Sequence, residues 1–398
     1  MAVTNGVTND SRVNREASAL AEAGFEVYVV GIQIMKEQPL LETKNGFTII
    51  RVPKFTRDNI LTQSIWRIIR YYLPLFSYGN QNTKRLYQKM VELKADIYHA
   101  NDLDTLLATY RASRKNCAHL VYDAHELYVE TMNQGSFGKI GQLLFKKYYS
   151  TIERRIIKKC RLVLTVSQSI AAELARRYHI PEPHVIKNVP PPSTDSSDEI
   201  INIRQTMGIP ADAMITLYQG SLQPGRGLFN FIDAMRLLPK HIVLLILGNG
   251  PLLNKLQSKV SANGLGNRIF FHPAVPLKVL AHYTKQADFG LVFLEDLNLN
   301  QHLALPNKLF EYMSVGLPIV ASDLPEISAI VTKNNIGTVA QSHAPVDIAN
   351  AILKLTESNN MHQCSQNSKK AFLDEFNWTK ESKNLVNEYS ELINDFQG

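Results

Sequence analysis

Short runs of β-branched and apolar residues alternate along this chain with segments whose apolar residues recur about every 3.6 positions. FEVYVVGI, GFTIIRV, ADIYHA, HLVYDAHE, RLVLTVS and HVIKNV read as strands in the first half; MITLYQGS, HIVLLILGNG, RIFFHPAV, ADFGLVFL and LPIVASD follow in the second. Between them SRVNREASALAEAG, IGQLLFKKYYSTIERRIIKKC and SIAAELARRY carry the helical period. The alternation predicts parallel sheets with helices on both faces, an α/β doubly wound architecture. A single core stops growing at roughly 250 to 300 residues, so 398 residues predict two such domains. The stretch VPPPSTDSSDEI breaks the pattern as a linker would. The expected division is a first domain over 1–190, a linker over 191–203, a second domain over 204–375 and a separate helix over 376–398.

Ligands of open α/β sheets bind outside the C-terminal ends of the strands, so two such domains facing each other would share one cleft, and chemistry is expected in the loops that follow strands. One segment stands out: ALPNKLFEYMSVGLPIVASDLPEI, a loop, a short helix from about Pro306 to Val315 and a buried strand. Pro306 suits a first turn, Gly316 a C-cap, and Pro318 stops continuation. Lys308 and Glu311 then share a face while Leu309 and Met313 point to the core. A helix N-terminus with a lysine beside it suits a diphosphate, and a carboxylate one turn deeper can accept both hydroxyls of a ribose. The alternative is an ordinary surface ion pair between Lys308 and Glu311.

A second segment, LYQGSLQPGRGLFNFIDAM, runs from a strand ending near Gly220 through a glycine-rich loop into a helix. Gly225 and Gly227 allow close backbone approach, and Arg226 between them could grip phosphate in a fork geometry; a plain turn with an exposed arginine is the alternative. In HLVYDAHELY a strand delivers Asp123, His125 and Glu126 to its edge, where His125 could bond a sugar hydroxyl or move a proton. His99 has the weaker form of the same claim. LILGNGPL offers Gly248 and Gly250 for close approach to a nucleotide. The dinucleotide fingerprint with its distant acid and the G-x-x-x-x-G-K-[ST] phosphate loop are both missing, which disfavours a nicotinamide oxidoreductase.

Composition narrows the partners. Cys117, Cys160 and Cys364 lie far apart with no metal-ligand spacing, so neither disulfides nor a zinc site is expected, and no metal or cofactor is called for. The start MAVTNGVTNDSR has no signal-peptide pattern and no window approaches the roughly 18 apolar residues that span a bilayer, so a cytoplasmic protein is expected. Residues 1–190 hold 27 Lys and Arg against 17 Asp and Glu, whereas the remainder holds 16 against 19. A basic half suggests an anionic partner or a merely solvated face. Around NILTQSIWRIIRYYLPLF, Trp66, Ile69, Tyr72 and Leu73 interleave with Arg67 and Arg70, a pattern suited either to an anionic membrane or to burial on the sheet.

Taken in chain order, TNDSRVNREASALAEAGFEVYVV, VYDAHELY, LTVSQSIAAELARRY, VIKNV, YQGSLQPGRGL, LGNGP and LPNKLFEYMSVGLPIVASDLPEI resemble the family 4 retaining glycosyltransferases of the GT-B fold over nearly the whole length. The resemblance implies a nucleotide-diphosphate sugar donor, with Glu311 on its ribose, Arg226 on its diphosphate, His125 on the transferred sugar, and Asn307 and Lys308 in the loop around the donor. It implies a glycan, lipid-linked or small-molecule acceptor, no nucleic acid, and a final helix that crosses back onto the first domain. Three departures stand against it. Leu303 replaces an acid that the family often places eight positions before Glu311, leaving Glu295 or Asp296 as substitutes. Ser221 replaces a basic residue. The first strand is nearly missing from MAVTNG, which is expected to weaken the first sheet. These departures keep two alternatives open, a catalytically impaired nucleotide-sugar-binding subunit and a nucleotide-sugar epimerase.

Overall fold

The computed structural model describes residues 1–8, 10–55, 81–131, 139–192, 202–357 and 360–397. The basic aromatic stretch around Trp66, Ile69, Tyr72 and Leu73 lies outside them. The chain divides into two units, one of Met1–Lys187 with Ser382–Gly398 and the other of Asn188–Glu381.

In the first unit, the strands β1 (Tyr28–Gln33), β2 (Leu41–Lys44) and β3 (Phe47–Pro53) lie in the order β1-β3-β2. The strands β4 (Ile97–Asn101), β5 (His119–Ala124), β6 (Leu162–Thr165) and β7 (His184–Val185) form a parallel set in that order. Ala2 bridges both sets, pairing with Val30 on one side and Ala100 on the other. The N-terminal residues therefore do the work of a central strand: the Ala2 amide donates to His99 O at 2.8 Å and the Val3 amide to Val30 O at 3.0 Å. β2 pairs antiparallel with β3 through Asn45 and Gly46, both at positive φ, the geometry of a type I′ hairpin. It departs from the all-parallel expectation, because a two-residue turn can only join antiparallel neighbours.

In the second unit, β8 (Met214–Gln219), β9 (Ile242–Leu247), β10 (Ile269–His272), β11 (Phe289–Val292), β12 (Ile319–Ser322) and β13 (Gly337–Ala340) form one parallel sheet in the order β10-β9-β8-β11-β12-β13. Every residue of β9 is buried, as a strand covered on both faces by helices must be. Alternate residues feed two cores: Leu217, Leu245 and Val292 pack on one face, Tyr218, Leu244 and Leu291 on the other. The strand order reverses direction between β8 and β11, and that switch point is where such sheets leave a crevice at their C-terminal edge. Val189 joins the core of this unit, and Pro190 O accepts the amide of Trp378.

Candidate functional site

The helix Asn307–Ser314 leads into β12. Val315, Gly316 and Leu317 close it in a Schellman arrangement, with the Leu317 amide on Tyr312 O and the Gly316 amide on Met313 O and Gly316 at φ 72°. Leu309 and Met313 are fully buried, as the period requires, and Asn307 is exposed. Lys308 departs from the surface-pair alternative. It is only 8% exposed, its Nζ lies 3.9 Å from the centre of the Tyr218 ring, and it has no hydrogen-bond partner. Burial, reinforced by the charge of Arg226 and opposed by Glu311, holds its pKa well below the usual lysine range. A buried cation with a cation beside it and no acceptor is set up to receive an anion.

Glu311, one turn on, is half-buried. Its Oε2 accepts from Gln219 Nε2 at 2.5 Å, and Gln219 is the last residue of β8. Beyond it lie Gly220, at φ 130°, and Gly225 and Gly227, at φ 81° and 70°, left-handed conformations that glycine enters at little cost. The loop they form is tied to the chain after β11: the Glu295 amide donates to Gly225 O at 2.9 Å and the Gly227 amide to Glu295 Oε1 at 3.2 Å. Arg226, half-buried, sits within that brace. Glu295 thus serves the glycine loop, and Asp296 faces His302 Nδ1 at 2.9 Å.

Gly248 and Gly250 have a structural reason to be glycine. A Cβ on Gly248 would fall 1.9 Å from Gly220 O, and one on Gly250 would fall 2.4 Å from Leu222 O. Both are glycine because the loop after β9 is laid against the backbone of the loop after β8. The Leu222 amide confirms that contact by donating to Asn249 O at 2.9 Å. The two glycines shape the crevice by letting its walls close up.

In the first unit His125 follows β5. Its Nδ1 stands 3.1 Å from Asp102 Oδ2 and its Nε2 2.9 Å from Asp123 Oδ2, so neither ring nitrogen keeps a lone pair for a substrate proton. Burial disfavours the imidazolium, but the two carboxylates outweigh it and hold the pKa well above the usual histidine value. Both ring nitrogens are thus engaged by carboxylates, an arrangement that favours the protonated ring. Asp102 is held at φ 61°, a strained conformation costing about 1–3 kcal/mol, and it binds both the His125 amide and the ring.

Arg12 completes the network. Its Nε and Nη2 grip Asp123 at 2.7 and 2.8 Å and its Nη1 donates to Ile186 O at 2.6 Å. Among the described residues, Glu16, His99 and Asp123 bring ligand atoms within 4.8 Å of one another, as a metal would need. Arg12 Nε already stands 2.9 Å from Glu16 and 2.7 Å from Asp123, so the guanidinium supplies the positive charge there. His99 is held by Tyr389 at 2.5 Å, and burial brings its pKa down to about 3.

Residues 11–189 match the family described as Glycosyltransferase Family 4, and residues 199–371 match Glycosyl transferases group 1. This chain belongs to the family 4 GT-B glycosyltransferases. An uncharacterized glycosyltransferase of Methanocaldococcus jannaschii is 24% identical over 400 residues, covering 94% of this chain and 91% of the relative. Among solved structures, sucrose-phosphate synthase from Thermosynechococcus elongatus aligns with a TM-score of 0.73 at 18% identity, over 96% of this chain and 93% of that one. Anabaena HepE in complex with UDP-glucose aligns with a TM-score of 0.73 at 16% identity, over 98% of each. These likenesses carry the fold, two Rossmann-like domains with parallel sheets. Among the described residues of this glycosyltransferase no helix is long and apolar enough to cross a membrane.

The sequence singled out Lys308, Glu311 and Arg226, and the second unit brings these three together. His125 belongs to the first unit. Gln219 escaped notice because a glutamine inside LYQGS reads as one residue of a strand; its position next to the first crevice glycine was the available signal.

Proposed function

We propose that this glycosyltransferase moves a sugar from a nucleoside-diphosphate sugar to a glycan, lipid-linked or small-molecule acceptor with retention of anomeric configuration, in the synthesis of a surface polysaccharide or glycoconjugate. The observation that carries the proposal is the buried Nζ of Lys308, without an acceptor, beside Arg226 at the switch point of the second sheet. A diphosphate is the ligand whose charge this arrangement lacks, and Glu311 is placed for the ribose beyond it. The UDP-glucose bound to the HepE neighbour supports a donor of this chemistry. Asn307, at the exposed start of the helix, and Gly220 and Gly225 belong to the same grip.

In the proposed reaction the bond between the anomeric carbon and the phosphate oxygen breaks as the acceptor oxygen bonds to the same face of that carbon. The leaving phosphate takes the acceptor proton. Its developing charge falls on Arg226 and Lys308, and preorganised groups of this kind contribute about 3–4 kcal/mol each in mutagenesis. His125 contributes positive charge with its protons fixed. These cations stand where other transferases use a metal, so the reaction is proposed to be metal-independent. The cation excess of residues 1–190 supports a peripheral contact with an anionic membrane surface.

The test is a panel of nucleoside-diphosphate sugars incubated with the enzyme, with and without EDTA, scored for nucleoside diphosphate released and for altered sugar. Slow release of a nucleoside diphosphate that survives EDTA is expected. An isomerised sugar would make the protein an epimerase, binding without turnover would make it an impaired subunit, and loss with EDTA would overturn metal independence.

A further inference from the structure

Gln219 is 2% exposed and held from three sides. Its amide N–H donates to Tyr312 Oη at 3.0 Å, and that hydroxyl donates to Leu217 O at 3.1 Å, which pins the end of β8 to the helix Asn307–Ser314. Thr284 Oγ1, 1% exposed, lies 2.8 Å from Gln219 Oε1. Nε2 then points at Glu311 Oε2. The amide has one workable orientation. Flipped, it would set Oε1 against a carboxylate oxygen, two acceptors at 2.5 Å, while Thr284 would lose nothing, since its hydroxyl also reaches Leu280 O at 2.9 Å. The carboxylate thus fixes the amide and the amide fixes the carboxylate.

We infer that Gln219 is the positioning residue of the donor's ribose grip, aiming the Glu311 carboxylate at the vicinal hydroxyls while Thr284 holds the amide. The inference rests on the donor reading above and deepens it. A carboxylate offers about four acceptor sites, and anchoring one of them sets the direction of the rest. A diol needs two acceptors at a fixed spacing, which a carboxylate turning about its last torsion presents only part of the time. Gln219 reaches its target across 92 positions of sequence.

The experiment compares the affinity of the full-length enzyme for UDP, GDP and ADP and then for the 2′-deoxy form of the best of them, by calorimetry. Wild type is expected to prefer the ribonucleotide by about 10- to 100-fold, the range for one hydrogen bond to a charged group. Gln219→Met keeps the length of the side chain without its donor. Its preference is expected to fall below about threefold with the affinity for inorganic pyrophosphate, which has no ribose, unchanged, because the phosphates still bind as before. In a Glu311→Ala background Gln219→Met should change nothing further. Undiminished preference in Gln219→Met overturns the positioning role alone; absence of preference or of nucleotide binding in wild type overturns the donor reading with it. Thr284→Val, which frees the amide, is the second variant should Gln219→Met fail to melt cooperatively, and an unchanged preference there overturns the role equally.

Discussion

Lys308 should take up a proton when a nucleoside-diphosphate sugar binds. In the empty enzyme its Nζ has no hydrogen-bond partner and lies over Tyr218 at 3.9 Å, and its pKa is pushed well below the ordinary value of 10.5 by burial first and by Arg226 second, with Glu311 opposing. A phosphate charge arriving about 4 Å away interacts with that ammonium by about 4 kcal/mol at an effective dielectric constant near 20. At 1.36 kcal/mol per pKa unit this is about 3 units of upward displacement per charge, enough to restore the proton. Between the pKa of the empty site and that of the complex, only the protonated fraction binds, so affinity should fall up to about tenfold per pH unit as pH rises. Calorimetry at pH 8 in buffers of different ionisation enthalpy counts the protons, and an intact sugar nucleotide avoids the terminal phosphate of a free diphosphate, which titrates near pH 6. Net proton uptake is expected in wild type and none in Lys308→Met. A slope of zero in wild type, or the same slope in Lys308→Met, refutes the reasoning. The same shift has a sign in stability. With its folded pKa lowered, the lysine destabilises the empty fold at neutral pH, and that cost disappears above the unfolded value. Lys308→Met should therefore stabilise the ligand-free protein, by about 1–4 kcal/mol if it behaves like other hydrophobic replacements of buried charge, while weakening donor binding to a level that calorimetry still measures.

Gly248→Ala should cost more than about 3 kcal/mol or displace the loop after β8, because its Cβ meets Gly220 O at 1.9 Å, whereas Gly266→Ala, with nothing within 4 Å, should be close to neutral; equal melting temperatures would refute the close-approach account. Arg12→Met removes the partner of a buried carboxylate and should cost about 3–5 kcal/mol in urea unfolding, and a loss under about 1 kcal/mol would show that the ion pair with Asp123 does not sustain this end of the sheet.

The helix Asn307–Ser314 was legible to within a residue or two at each end, because proline and glycine punctuate it and its apolar residues keep the helical period. Nearly all the strands were legible for the same local reason. β2 carried a readable signal in LETKNGFTII, where Asn-Gly marks a hairpin, yet four half-exposed residues look like loop when strands are sought by apolar runs. What local pattern cannot carry is the identity of the neighbour. A lysine in a first helical turn reads as solvated, and only the ring of Tyr218, ninety positions earlier, makes Lys308 a buried cation. Gly248 reads as a place for a ligand until the parallel pairing of β8 with β9 sets it against Gly220. MAVTNG looks too short for a strand, and its pairing depends on Val30 and Ala100 being held on either side of it.

Both units concentrate charge at the end of a strand, and the balance decides which of them calls for an anion. In the first, Arg12 and the His125 imidazolium stand against Asp102 and Asp123 at 2.7–3.1 Å. Glu16 is pushed up to about 8 by burial despite Arg12, so it is largely uncharged at neutral pH, and His99 is neutral. Two cations meet two anions there, each with partners, and a further phosphate would find its donors taken. In the second unit Lys308 has no hydrogen-bond partner, the charges acting on it are those of Arg226 and Glu311, and the Glu311 carboxylate is already turned toward Gln219. Added negative charge would favour the protonated form of Lys308 there, at low exposure, where a Coulomb interaction is worth more than in water. On the proposed function, the donor's phosphates would therefore bind at the second unit. The closed network around His125, with a carboxylate on each ring nitrogen, favours holding a positive charge over exchanging protons.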